Sequence, residues 1–145
     1  MDIVELIKTA KIGSERKAAQ IDSCAPFAAA LYDVLIENGL DVSLVTACHR
    51  AVTVDRTWYH LVVEHDGTYY DSLGEFSTEM VRKRLKIHPK IEWDLTYRPE
   101  PREDCYDEDD FADLHDFFVD AFRAAAKRLN SAPAPALADT TKMRV

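Results

Sequence analysis

The dipeptide Asp66-Gly67 constrains this chain more than any other feature. Asp-Gly between two alternating runs marks a two-residue hairpin turn, because such a turn needs positive φ and glycine supplies it without steric cost. The flanking runs are WYHLVVEH, ending at His65, and TYYDS, starting at Thr68. A two-residue turn sets the register, so His65 faces Thr68, Glu64 faces Tyr69, Val63 faces Tyr70 and Val62 faces Asp71. Side chains alternate between faces along a strand. His60, Val62 and Glu64 therefore share one face with Tyr69, Asp71 and Leu73. His60 and Asp71 become diagonal neighbours within hydrogen-bonding reach. A slip of one residue would put them on opposite faces.

The rest of the chain supplies partners for this hairpin. Residues 2–10 read as a short helix with Ile3, Leu6, Ile7 and Ala10 on one face, followed by a polar connection. The clearest helix runs from about Cys24 to Asn38, with Asp22 or Ser23 as its cap. Pro26 falls in the first turn, where its missing N–H does little harm, and Gly39 closes the other end. Its apolar stripe is Cys24, Phe27, Ala28, Leu31 and Leu35, which should face a core. DVSLVTACH, residues 41–49, predicts a strand, and a second runs from about Val52 to Glu64. STEMVRKRLK predicts a short helix capped by Ser77 or Thr78 and ended by Pro89. IEWDLTY, Ile91 to Tyr97, alternates as a half-buried strand.

A final helix spans about Asp110 to Leu129, with Phe111, Leu114, Phe118, Phe122 and Ala125 as its stripe. The DEDD run before it suits a helix N-terminus. From Asn130 the composition turns to alanine and proline, which predicts a disordered tail over 130–145. At 145 residues the chain suits one domain, here residues 1–129. Strands joined by a tight turn imply an antiparallel sheet, with the long helix packed on one face. The expected class is α+β.

Charge and motifs exclude several functions. The formal net charge is -8, which disfavours a nucleic-acid partner, since phosphate binding leans on lysine and arginine. The densest basic run, RKRLK at residues 82–86, reads as solvated surface. No apolar run is long enough to cross a membrane. The first residues lack the pattern of a secretory signal, so a cytoplasmic protein without membrane association is expected. Cys24, Cys48 and Cys105 are the three cysteines, with no CxxC or HxxxH spacing. Neither a disulfide framework nor a zinc site is expected. Glycine-rich nucleotide loops are missing as well. No metal and no organic cofactor is anticipated.

What remains is acid–base and thiol chemistry. An aspartate beside a histidine fixes the ring's tautomer and stabilises its cation. Cys24 opens the clearest helix, where backbone N–H groups and the helix dipole favour a thiolate. A nearby imidazolium would favour it further. The same N–H groups could help hold an oxyanion. Taken singly, Cys24 reads as a core thiol, His60 as a satisfied strand histidine and Asp71 as a strand-end residue. Taken together, in this order and on compatible elements, they read as a site.

Other candidates are weaker. Cys48 and His49 are adjacent on a strand and point to opposite faces. Cys105 lies among acids, which blunts a thiol. His65, His88 and His115 read as surface. DEDD lacks the spaced ligands of a calcium loop.

A cysteine opening a helix, a histidine on one strand and an aspartate on the next resembles the transglutaminase-like branch of the papain-type cysteine enzymes. The segments that carry the resemblance are DSCAPFAAALYDVLIENGLDVSLV and WYHLVVEHDGTYYDS, within about residues 20–75. It implies a papain-like, transglutaminase-like fold. It also implies Cys24 as nucleophile, His60 as general base and acid, and Asp71 as the residue that orients it. The reaction would be acyl transfer through a thioester on the amide of a peptide or protein, with hydrolysis expected ahead of transamidation. Gln20 is the only nearby glutamine for a side-chain oxyanion donor, and Trp58 and Tyr59 could wall the site. The alternative is a catalytically inactive domain of the same architecture that binds a protein partner. Cys24 would then be core, and the acidic loop at 100–110 with the last helix would form the interface.

Overall fold

The Asp66-Gly67 turn forms with φ of 50° and 84°, and the Glu64 carboxylate accepts the Gly67 N–H at 2.7 Å. It joins β2 (Thr57–His65) to β3 (Thr68–Asp71) in the expected register, Val63 with Tyr70, Glu64 with Tyr69 and His65 with Thr68. These elements belong to a computed structural model that describes residues 1–12, 24–50, 57–91, 94–104 and 111–131. The sheet also contains β1 (Ser43–Arg50), β4 (Gly74–Phe76) and β5 (Thr96–Pro99). Its strand order is β4-β3-β2-β1-β5, with every pair antiparallel. Among the described residues the helices are α1 (Ile3–Ala10), α2 (Cys24–Glu37), α3 (Thr78–Arg84) and α4 (Phe111–Ser131). The class is α+β.

Two apolar clusters divide the sheet. On one face α1, α2 and α4 bury Leu6, Phe27, Leu31, Leu35, Phe118 and Phe122 against Val42, Leu44 and Val63. Phe27 meets Phe118 and Phe122 edge-to-face, at centroid distances of 5.3 and 5.4 Å. In α2 every residue from Pro26 to Leu31 is buried. A helix buried all round is packed from more than one side, and α2 lies between the sheet and α4.

On the other face Val45, Ala47, Val62 and Phe76 pack with Val81 of α3 and Leu95. Here the rings of Tyr69 on β3 and Tyr97 on β5 stack at 4.0 Å. Two strands separate β3 from β5, and the register offsets Tyr69 from Tyr97 by four residues along the strands, so a flat sheet would hold these positions roughly 19 Å apart. The sheet must therefore curl, concave on this side.

A polar tie closes the outer side of α2. The Arg102 guanidinium grips Asp33 through two 2.9 Å bonds, and His115 Nε2 lies 2.7 Å from Asp33 Oδ2. Burial, the largest single influence, pushes the Asp33 carboxyl up. The hydrogen bonds and charges of Arg102 and His115 together outweigh it, and its pKa is lowered.

Several elements differ from expectation. β5 covers Thr96–Pro99, later than the expected Ile91–Tyr97. The Arg82 guanidinium donates to the carbonyls of His88 and Ile91 at 3.0 and 2.9 Å, which holds 88–91 as a turn and leaves Ile91 exposed. α3 stops at Arg84, well before Pro89. Lys86 adopts φ of 55°, and bonds from Lys86 N–H to Lys83 O and from Ile87 N–H to Arg82 O close the end. That is the Schellman closure which glycine normally provides, and a lysine in its place gave no signal. β4 was not expected: Gly74, at φ of 109°, lets the chain fold straight back after Asp71.

His115 is not plain surface but part of the Asp33 tie, and the basic run at 82–86 is only partly solvated. Ser77 is the cap of α3. The caps Asp22 and Ser23, the start of the second strand before Thr57, Trp93, Cys105, DEDD and positions 132–145 of the expected tail lie outside the described residues. No helix among the described residues is long and apolar enough to cross a membrane.

Candidate active site

Three elements converge at one end of the sheet. α2 begins at Cys24, His60 lies on β2 opposite Ala47 of β1, and β3 ends at Asp71. Ala47 is small and buried, which leaves room on the concave face for the imidazole beside it. His60 Nε2 lies 3.1 Å from Asp71 Oδ2, and each residue is 2% exposed. The diagonal contact that the turn predicts is thus present.

The Asp71 carboxylate has further partners. Oδ1 accepts the Leu73 N–H at 3.0 Å, which ties the carboxylate to the turn into β4. Arg84, at the end of α3, donates from Nη1 to Oδ2 at 2.6 Å and from Nη2 to Oδ1 at 3.4 Å. The Arg84 guanidinium also lies over the Phe76 ring, 5.8 Å from its centroid. That ring is 5.4 Å from the His60 ring. Phe76 is thus the apolar wall between histidine and arginine, and both cations meet on one carboxylate.

Cys24 keeps a partly exposed surface and acts directly on His60. Burial is the largest influence on the imidazole and lowers its pKa. The hydrogen bonds of Asp71 and Cys24, followed by the charges of both, more than reverse this and raise it from 6.5 to about 9. Nε2 is turned to Asp71, and Nδ1 is buried. His60 is then an imidazolium at neutral pH.

An open groove of about 530 Å³ lies on the same face, lined in part by Tyr69, Phe76, Thr78, Glu79 and Tyr97. Phe76 belongs to both the groove and the His60 contact. No cluster of three or more His, Cys, Asp or Glu that could hold a metal occurs among the described residues. Cys48 is partly exposed, with its sulfur 3.9 Å from the Thr46 carbonyl. Gln20 and the side chains of His49, Trp58 and Tyr59 lie outside the described residues.

Arg84 and Phe76 escaped the sequence reading. Arg84 sits in a basic run that reads as solvent-facing, and nothing local ties it to a carboxylate 13 positions away. Phe76 depends on β4, whose three residues are too few for a periodic pattern. In comparisons with known proteins, the chain matches no family model, no curated protein and no solved structure.

Proposed function

We propose that this chain is a cysteine-dependent acyl-transfer enzyme of transglutaminase-like, papain-type architecture. Its first activity is that of a thiol hydrolase acting on amide bonds of a peptide or protein. The observation that carries this reading is a buried histidine held between Asp71 and a helix-opening cysteine, with its pKa raised to about 9.

The chemistry follows from that pair. At neutral pH the proton resides on His60 and the Cys24 sulfur is the anion that stabilises it. The sulfur attacks the amide carbon, and backbone N–H groups at the start of α2 face the developing oxyanion. The C–N bond breaks as His60 gives its proton to the leaving amine, which leaves a thioester on Cys24. Neutral His60 then takes a proton from water, hydroxide adds to the thioester carbon, and the acid departs as the thiolate reforms. An amine in place of water gives transamidation by the same steps.

A non-catalytic interaction domain is the second reading. The near-complete burial of His60 and Asp71 favours it, because a buried ion cluster can be purely structural.

Alkylation separates the two. Iodoacetamide labelling of Cys24, followed by mass spectrometry of its peptide, is expected to be fast near pH 7 and to slow at least tenfold in His60→Ala. Equally slow labelling of Cys24 in the native protein and in His60→Ala would leave only the interaction domain.

A further inference from the structure

We propose that Arg84 is a positioning residue of this site, anchoring the Asp71 carboxylate and setting the pH window in which the Cys24–His60 ion pair exists. The inference rests on the hydrolase reading for its purpose, but its physical content stands apart from any activity.

The geometry is specific. Asp71 Oδ2 is shared, with Arg84 Nη1 at 2.6 Å and His60 Nε2 at 3.1 Å. The guanidinium is the closer partner and also reaches Oδ1. A planar fork that engages both carboxylate oxygens fixes the plane of the carboxylate as well as its place. The orientation of Oδ2 toward the imidazole is therefore set from the arginine side. The Leu73 N–H holds Oδ1 from the turn, so the carboxylate is pinned at both oxygens before His60 is considered. Arg84 is itself held: its guanidinium covers Phe76, and its side chain is 22% exposed.

The electrostatic consequence has a definite sign. Counted with Arg84, the cluster contains two anions, Cys24 and Asp71, and two cations, His60 and Arg84. Ala47, paired with His60 from β1, and Phe76, in ring contact with it from β4, carry no charge. Removing the guanidinium leaves a net negative cluster. Such a cluster binds the His60 proton more tightly and makes the Cys24 anion harder to form. Both limbs of a pH profile then move to higher pH. Arg84 thus draws the working range of the pair down toward neutrality, against the pull of a buried aspartate that would otherwise hold the imidazole proton too firmly for transfer.

The test compares the native protein with Arg84→Gln, Arg84→Met and Arg84→Lys. Circular dichroism establishes folding, the alkylation rate of Cys24 is followed from pH 5 to 10, and the His60 ring is titrated by NMR. Arg84→Gln, and Arg84→Met with its stem still against Phe76, are expected to move the rise of the alkylation rate and the His60 titration upward by about one unit. Arg84→Lys, which keeps the charge, is expected to stay much closer to the native profile. An unmoved or downward-moved titration in a folded neutral variant overturns the proposal. So does a lysine variant that behaves like the neutral ones. Loss of folding in both neutral variants also overturns it, since Arg84 is then only a structural tie. The hydrolase reading fails separately: a His60 titration that shifts as stated, in a protein that cleaves no amide substrate, supports the role of Arg84 and removes the enzyme.

Discussion

Replacing Asp71 with asparagine keeps the shape of the side chain and deletes its charge, which makes it the sharpest probe of the site. The native carboxylate accepts from His60, Arg84 and the Leu73 N–H. Burial is the largest influence on His60 and lowers its pKa; Asp71 is the first of the two groups that oppose it. Without that charge only Cys24 remains in opposition. The pKa should then fall from about 9 to 6.5 or below. A fall of two units or more removes about 3 kcal/mol of imidazolium stabilisation. At pH 7.5 the protonated fraction drops from nearly all to roughly one tenth.

Iodoacetamide alkylation of Cys24 across pH, read by mass spectrometry of its peptide, reports this directly. Asp71→Asn should react on the order of tenfold more slowly at pH 7.5 and gain rate only near the ordinary thiol range of about 8.5. Urea unfolding of the same variant should show a loss of about 3 kcal/mol, the low end for breaking a buried pair, because Arg84 can turn to water and His60 can shed its proton. A variant whose alkylation profile overlays the native one would refute the argument, whatever its stability.

Two further outcomes test other parts of the structure. His60 is raised from 6.5 unfolded to about 9 folded, so its contribution to stability is complete below pH 6.5 and is lost as pH rises through 9. Urea midpoints should therefore fall between pH 7 and 10 in the native protein, by roughly 3 kcal/mol from this group. That loss should be absent from His60→Ala, and equal slopes in both proteins would disprove the linkage. Phe27 is 2% exposed and meets two other rings edge-to-face. Phe27→Ala should cost about 3–5 kcal/mol in urea unfolding, and a cost under 1 kcal/mol would contradict the described packing of α2.

Much of the scaffold was legible because it follows local rules. Asp66-Gly67 determines a turn, the turn determines a register, and the register puts His60 and Asp71 on one face. Cys24 and Gly39 bracket a helix through end effects that act within one turn, and the Phe111, Phe118, Phe122 spacing marks α4.

Packing decided the rest. Strand β4 is too short to announce itself, and α3 ends on a lysine in a conformation that glycine usually takes. Ile91, expected to open an alternating strand, is held in a turn at 88–91 by Arg82. Most telling is Arg84, one cation in a solvent-like run, which reaches a buried carboxylate only because α3 folds back over β4. Whether a charge lies in water or on a buried partner depends on what the rest of the chain places beside it. Sequence periodicity contains no term for that, so the chain alone could bring a histidine to an aspartate, but only the folded molecule could bring in the arginine that shares it.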